Sequence, residues 1–373
     1  MSVLSDLFQD IAYEIRKKTG KSDKLSPHDF PAAIRSIVVR AVRYVKLEKY
    51  DILLQQEGAY FNNYSVNLSH DGRYLLYQLS STGQIDIYDI ETKTVVWTVR
   101  DADGEIVVPG GAGCAFDYTN EAVVGTRKRS GTNVVEVFRA TANSFEVMTT
   151  YTAGVSTNPA ICLACAPDAD EIYISHFAQE SNGAFLYHSL IYSDGEWKID
   201  SFGNVLANGF LFTSDGKYVV VYGSDIQRVV RKTGEPFGAA LTVPGTYHNI
   251  SLTADNNYVV NTGGGTASDG TKIPIVSVWR VSDYEKMYDF ESFFTEQGDA
   301  YCIPGTNSIV FAYRDISSVR LFDTSSGSPV ESDEIPTLTE GLGGVSDLHA
   351  SYQGNRFVIV RAGGIEIWNV VDQ

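Results

Sequence analysis

SVNLSHDGRYLLYQ, residues 65–78, reads as a short strand, a turn carrying Asp71 and Gly72, and a second strand. FLFTSDGKYVVVYG (210–223) and ISLTADNNYVVNTG (250–263) repeat this pattern. CAFDYTNEAVVGT (114–126), ICLACAPDADEIYIS (161–175), YCIPGTNSIVFAY (301–313) and LHASYQGNRFVIV (348–360) are weaker copies. The seven units begin at residues 65, 114, 161, 210, 250, 301 and 348. A spacing of roughly 40–50 residues is the period of a four-stranded propeller blade. Seven units predict an all-β, seven-bladed β-propeller.

Each unit needs further strands. IDIYD (85–89), VEVFR (135–139), VSVWR (276–280), VRLFD (319–323) and IEIWN (365–369) end in an aromatic residue followed by a polar one. They resemble, in degenerate form, the Trp-Asp ending of WD-repeat blades, where the aromatic packs between neighbouring blades. TKTVVWTVR (92–100) and EKMYDF (285–290) fit a fourth, outer strand. The last unit stops after its third strand, at Val370 and Val371. An open edge of this kind invites unwanted pairing. VRYVKLEKYDILL (42–54) precedes the first full unit, and the simplest reading makes it the missing strand of the last blade. The expected domains are therefore 1–40 and 41–373.

Residues 5–18 have helical spacing, with Leu4, Leu7, Phe8, Ile11, Ala12 and Ile15 on one stripe. Ser5 serves as N-cap, and Arg16, Lys17 and Lys18 sit at the end the helix dipole favours for cations. Gly20 is the stop. Ser26, Pro27 and Asp29 open a second helix, whose stripe is Phe30, Ala33, Ile34, Ile37 and Val38. A helical hairpin over 1–40 is too small to bury both stripes alone. It needs the propeller, a second copy or a partner.

Residues 7–37, Leu7-Phe8-x-x-Ile11-Ala12-x-x-Ile15-Arg16-x-x-Thr19-Gly20 and onward to Pro27-x-Asp29-Phe30-x-x-x-Ile34-Arg35-x-Ile37, resemble the N-terminal module of phage and prophage virion proteins. Many of those are tail-associated. In that family the module precedes unrelated C-terminal domains. The resemblance implies a bacteriophage structural protein of the tail, fibre or baseplate. Leu7, Phe8, Ile11, Ile15, Arg16, Phe30 and Ile34 would dock it onto other virion proteins, in several copies or as a homo-oligomer. The alternatives are an intracellular or prophage-encoded propeller scaffold that binds a protein, and an enzyme that degrades cell-surface glycans.

Charge narrows the partners. Residues 1–46 hold nine Lys/Arg against five Asp/Glu; the remainder holds 20 against 41. So acidic a body repels nucleic acid and anionic membranes. It also disfavours polyanionic receptors, leaving a host surface protein or a neutral glycan as the expected ligand. No apolar run approaches the roughly 20 residues that span a bilayer. Asp6 and Asp10 interrupt any signal-peptide core, so synthesis in a host cytoplasm and residence in the virion are expected.

No motif demands chemistry. Cys162 and Cys165 form a lone C-x-x-C, and residues three apart in a strand point to opposite faces, which argues against a shared metal. None of His28, His70, His176, His188, His248 and His349 forms a metal-ligand pair. His70 reads as a solvated turn residue. Asp101-Ala102-Asp103-Gly104-Glu105 lacks the remaining ligands of a calcium loop. Gly263-Gly264-Gly265 reads as a loop. The repeated S-x-D-x-G-x-T-W turn of sialidase-like propellers is absent. The expectation is a binding protein with no catalytic residue, metal or cofactor. Propellers bind largely through the loops entering their innermost strands, which puts Tyr60, Phe61, Tyr247 and His248 on the candidate receptor face.

Overall fold

The computed structural model describes residues 45–54, 66–79, 82–108, 113–130, 132–152, 160–179, 185–200, 209–213, 216–223, 225–238, 240–242, 246–252, 258–266, 272–273, 276–281, 285–289, 298–304, 306, 308–313, 319–323, 330–335, 345–361 and 363–372. The hairpin expected over 1–40, with its seven docking residues, lies outside these. Every regular element among the described residues is a strand.

The first strand, β1 (Val45–Leu54), stands apart from the repeats. Blade 1 is β2 (Asn67–Leu68), β3 (Tyr74–Gln78), β4 (Ile85–Asp89) and β5 (Thr94–Thr98). Blade 2 is β6 (Cys114–Phe116), β7 (Val123–Lys128), β8 (Val134–Ala140) and β9 (Phe145–Thr152). Blade 3 is β10 (Ala160–Cys165), β11 (Ile172–Gln179), β12 (Phe185–Ser193) and β13 (Glu196–Asp200). Blade 4 is β14 (Gly209–Phe212), β15 (Tyr218–Tyr222), β16 (Asp225–Val230) and β17 (Leu241–Thr242). Blade 5 is β18 (Thr246–Leu252), β19 (Tyr258–Thr266), β21 (Val276–Arg280) and β22 (Lys286–Asp289), with a short β20 (Lys272–Ile273) added to β19. Blade 6 is β23 (Gly298–Cys302), β24 (Ser308–Tyr313), β25 (Val319–Asp323) and β26 (Val330–Ile335). Blade 7 is β27 (Val345–Ala350), β28 (Arg356–Arg361) and β29 (Gly364–Asp372), completed by β1. All pairings are antiparallel. First strands of successive blades approach one another, which makes them the innermost. The chain is a seven-bladed β-propeller.

Burial follows position within the blade. All five residues of β4 are buried, because a third strand has blades on both faces. The outer β5 exposes Thr94, Val95 and Val96. Seven apolar clusters fill the seven gaps between blades. The gap between blades 1 and 2, for example, holds Ile87, Leu76, Phe116, Val123 and Phe138. Each fully buried side chain of this kind contributes roughly 1.5–3 kcal/mol, so stability is spread around the ring. Cys165 packs between blades 2 and 3 and Cys162 between blades 3 and 4, on opposite faces of β10. Both thiols are free.

One turn joins first to second strand in six of the blades, among the described residues. Its leading residue donates its N–H to the carbonyl five residues on: Ser69 to Tyr74, Asp117 to Ala122, Ala166 to Glu171, Thr213 to Tyr218, Ile303 to Ser308 and Ser351 to Arg356, at 2.9–3.1 Å. Where the leading residue carries a hydroxyl, that oxygen accepts the N–H of the returning strand, as Ser69 Oγ does from Tyr74 at 2.8 Å. Neighbouring turns interlock. Asn355 Nδ2 donates to Asp71 O at 2.7 Å, and His70 N donates to Asn120 Oδ1 at 2.7 Å. A Cβ on Gly354 would lie 1.9 Å from Pro304 O, so only glycine, at φ +66°, fits against the blade 6 turn. His70 is therefore not the solvated residue expected: burial lowers its pKa against the opposing pull of Asp117, Asp71 and Asp168.

Between blades 3 and 4 the interlock is ionic. Arg231 Nε donates to Glu171 Oε2 at 2.7 Å, and Arg231 Nη2 to Asp168 Oδ1 at 2.6 Å. Arg231 and Glu171 are almost fully buried, whereas Asp168 is half exposed. Tyr173 Oη adds a donor to Glu171 at 3.2 Å.

The third-to-fourth strand pairing carries a recurring bulge. The register slips between Ile87 and Tyr88 in blade 1, Val137 and Phe138 in blade 2, Val278 and Trp279 in blade 5, and Leu321 and Phe322 in blade 6. In every case the aromatic of the strand ending sits at the slip. Blade 7 shows the same slip between Ile367 and Trp368, with β1 supplying the extra residue, Tyr50. The N-terminal strand thus reproduces the outer strand of a blade down to its irregularity. Val45 and Leu47 pack between blades 6 and 7, and Tyr50 and Leu53 between blades 7 and 1.

Gly263, Gly264 and Gly265 lie inside β19, not in a loop. Backbone pairing to β18 and β20 on either side holds them extended despite their weak strand preference. Asp101 closes a tight turn, accepting N–H groups from Asp103 and Glu105 and pairing with Arg127.

Candidate functional site

The lumen is walled by first strands. Height along it is counted back from the shared turn. Tyr301 and His349 stand two residues before Ile303 and Ser351, at equivalent places in blades 6 and 7. Cys162, Gly209 and Asp347 stand four before Ala166, Thr213 and Ser351, at one level in blades 3, 4 and 7.

At that level Tyr222 of β15 lies across Gly209 of the paired innermost strand and packs against the gap between blades 4 and 5. A Cβ on Gly209 would lie 2.1 Å from both Tyr222 Oη and Cζ. Only the missing side chain of the innermost strand lets a second-strand tyrosine through. Burial pushes the Tyr222 phenol up, and Cys162, Tyr301 and Asp347 all add to the shift. Those residues come from blades 3, 6 and 7.

His349 Nε2 faces Asp347 Oδ2 at 3.2 Å; the two side chains keep 25% and 27% of their surface exposed. Asp347 Oδ1 accepts the Leu348 N–H at 2.8 Å. Burial alone would lower the His349 pKa, but the Asp347 carboxylate outweighs it and the net shift is upward. Burial, then Asp347, pushes the Tyr301 phenol up to about 12. Both tyrosines therefore stay protonated near neutrality. The cluster offers one carboxylate, one imidazole and two neutral phenols. The sequence reading held Tyr222 and Tyr301 only as strand residues of the repeats, and His349 only as a histidine outside any ligand pair. The i, i+2 spacing of Asp347 and His349 on a strand was the available signal.

Among the described residues, no three His, Cys, Asp or Glu side chains are placed to hold a metal ion. No described helix is long and apolar enough to cross a membrane.

Of the expected receptor residues, two are described. Tyr60 and Phe61 fall outside the described residues. Tyr247 and His248 belong to β18 itself, not to the loop before it. Tyr247 pairs with Gly263, and the register slips at His248. The strand they pair with is long. β11 has 8 residues and β19 has 9, against 5 or 6 for the second strands of the other blades. Blade 4, between these two blades, has a second strand of 5 residues and a two-residue step to its third. Among the described residues, the second strands of blades 3 and 5 thus run longer than that of blade 4.

No family model matches the chain, and no curated protein matches it. Among solved structures, it is similar to the β-propeller domain of Cps50 (Swd1) from Myceliophteria thermophila, with a TM-score of 0.59 and 11% identity, over 87% of this chain and 100% of that one. At that identity the likeness bears on architecture alone, and it agrees with the seven-bladed ring described above.

Proposed function

We propose that the protein is a non-catalytic component of a bacteriophage particle, associated with the tail, fibre or baseplate. In this reading residues 1–40 dock onto other virion proteins and the propeller presents a rigid recognition surface. The observation that carries it is the place of closure. The ring is completed by β1, which begins at Val45 and directly follows the segment 1–44. That segment holds the stretch resembling the virion module, with Leu7, Phe8, Ile11, Ile15, Arg16, Phe30 and Ile34 as its docking residues. The place of Tyr247 and His248 at the start of β18, paired with the long β19, supports recognition at the entry face by a host surface protein or neutral glycan. Tyr60 and Phe61 join that surface as part of the proposal.

A chain starting at Val42 should fold with the thermal stability of the full chain and be lost from assembled particles. Incorporation at the full-length level would remove the docking role.

A further inference from the structure

We propose that the turn face of the ring, along the arc of blades 7, 1 and 2, packs against the same virion protein that residues 1–40 dock onto. Tyr352 and Tyr118 are its contacts, and the entry face points away. This surface rests on the virion reading above and adds to it a second contact and an orientation. The register fixes where the outer segment joins. The turn at 351–355 lies at the end of blade 7 opposite to the one where the chain enters β27. Arg356, the first residue of β28, pairs with Asn369, and β29 runs on in the same direction to Asp372. Val45 pairs with Asp372 and Leu54 with Gly364. So β1 starts at the turn face and runs toward the entry face, and residues 1–44 join the ring on the turn side of blade 7.

The turns beside that junction brace one another. Gln353 N donates to His70 O at 3.0 Å and Asn355 Nδ2 to Asp71 O at 2.7 Å, which ties blade 7 to blade 1. His70 N donates to Asn120 Oδ1 at 2.7 Å, which ties blade 1 to blade 2. The His70 and Tyr352 rings meet edge-on, with centroids 6.4 Å apart. On this braced row Tyr352 keeps 37% and Tyr118 41% of its surface exposed, with Gln353, Asn355 and Thr119 exposed beside them. Tyr352, His70 and Tyr118 take one place, the residue after the leading residue of the turn. That place holds Pro304 in blade 6, Pro167 in blade 3 and Ser214 in blade 4. The aromatic and imidazole rings are thus confined to the blade that contains β1 and the two that follow it.

Aromatic side chains are enriched at protein interfaces, and a pre-braced surface loses little freedom on binding. The turns at 69–72, 117–121 and 351–355 hold Asp71, Asp117 and Glu121 and no lysine or arginine. Arg73 and Arg356, which follow two of them, are held by Asp89 and Glu91. The partner surface that fits is therefore apolar and edged by amide or basic groups. A second copy of this face would set the carboxylates against their own kind, and a polyanion would be repelled.

The test uses the full chain in assembled particles, with the photo-crosslinking residue p-benzoyl-phenylalanine placed singly at Phe8, Tyr118, Tyr352 or Val108. Val108 is the control: it is 55% exposed and lies against Gly83, in the hairpin between β3 and β4 at the entry end of blade 1. Irradiation should link the Phe8, Tyr118 and Tyr352 positions to one and the same virion protein and leave the Val108 position unlinked to it. Links from Phe8 alone would keep the docking role of residues 1–40 and overturn the turn-face contact. Links from the turn positions to a different protein or to another copy of this chain, or from Val108 to the Phe8 partner, would overturn it as well. Absence of a Phe8 link removes the docking role and this contact with it. Tyr118→Ala combined with Tyr352→Ala should lower incorporation about tenfold, with an unfolding midpoint near that of the parent. Unchanged incorporation of that variant refutes the contact.

Discussion

A chain beginning at Gln55 should melt on the order of 10 °C below one beginning at Val42. The missing stretch contains β1, which pairs with β29 from Val45↔Asp372 to Leu54↔Gly364. Its removal strips Val45 and Leu47 from one blade interface and Tyr50 and Leu53 from another. Partial exposure of those clusters and the lost ladder amount to roughly 5 kcal/mol. A large chain moves about 2–4 °C per kcal/mol. The shortened chain also presents β29 as a bare edge, so self-association should rise with concentration. Differential scanning calorimetry and light scattering on the two chains measure both effects. Equal midpoints would mean that β1 adds nothing to closure.

Replacing Arg231 by Ala should cost about 3–5 kcal/mol, because a buried carboxylate loses its partner. Arg231 has 8% of its side chain exposed and Glu171 has 3%, so water cannot take over the role. Asp168, half exposed, regains solvent and contributes little to the loss. The charge-free double variant Arg231→Met with Glu171→Met should recover much of the stability, since apolar side chains of similar size can replace a buried pair. Urea unfolding of the three chains separates the cases. An Arg231→Ala loss below about 1 kcal/mol would show that Glu171 finds solvent or takes up a proton without penalty.

The ring was legible because its signals are local. An Asp- or Gly-bearing turn such as Ser69–Gly72 lies between two strands in one short stretch, and the aromatic at the third-strand slip, Tyr88 or Trp279, marks the next. The closing strand was legible from absence, since the run ending at Val371 lacked a fourth member. Blades 3 and 4 gave no aromatic-plus-polar ending, and their third strands, β12 and β16, emerge only from pairing. Gly263–Gly265 was misread because composition there favours a loop, while strand pairing on both sides decides otherwise. His70 was misread because its burial comes from turns of other blades. The lumen cluster was not legible at all. Gly209 with Tyr222, and Asp347 with His349, carry no recognised motif, and the first pair meets only through the register of β14 with β15.

The virion reading stands on residues 1–40, and a density map of assembled particles containing the full chain tests it most directly. The map should show residues 1–40 seated against another virion protein, with the propeller's entry face directed outward. A particle in which the ring's entry face is buried and residues 1–40 touch no other protein would contradict it, as would particles that lack the chain.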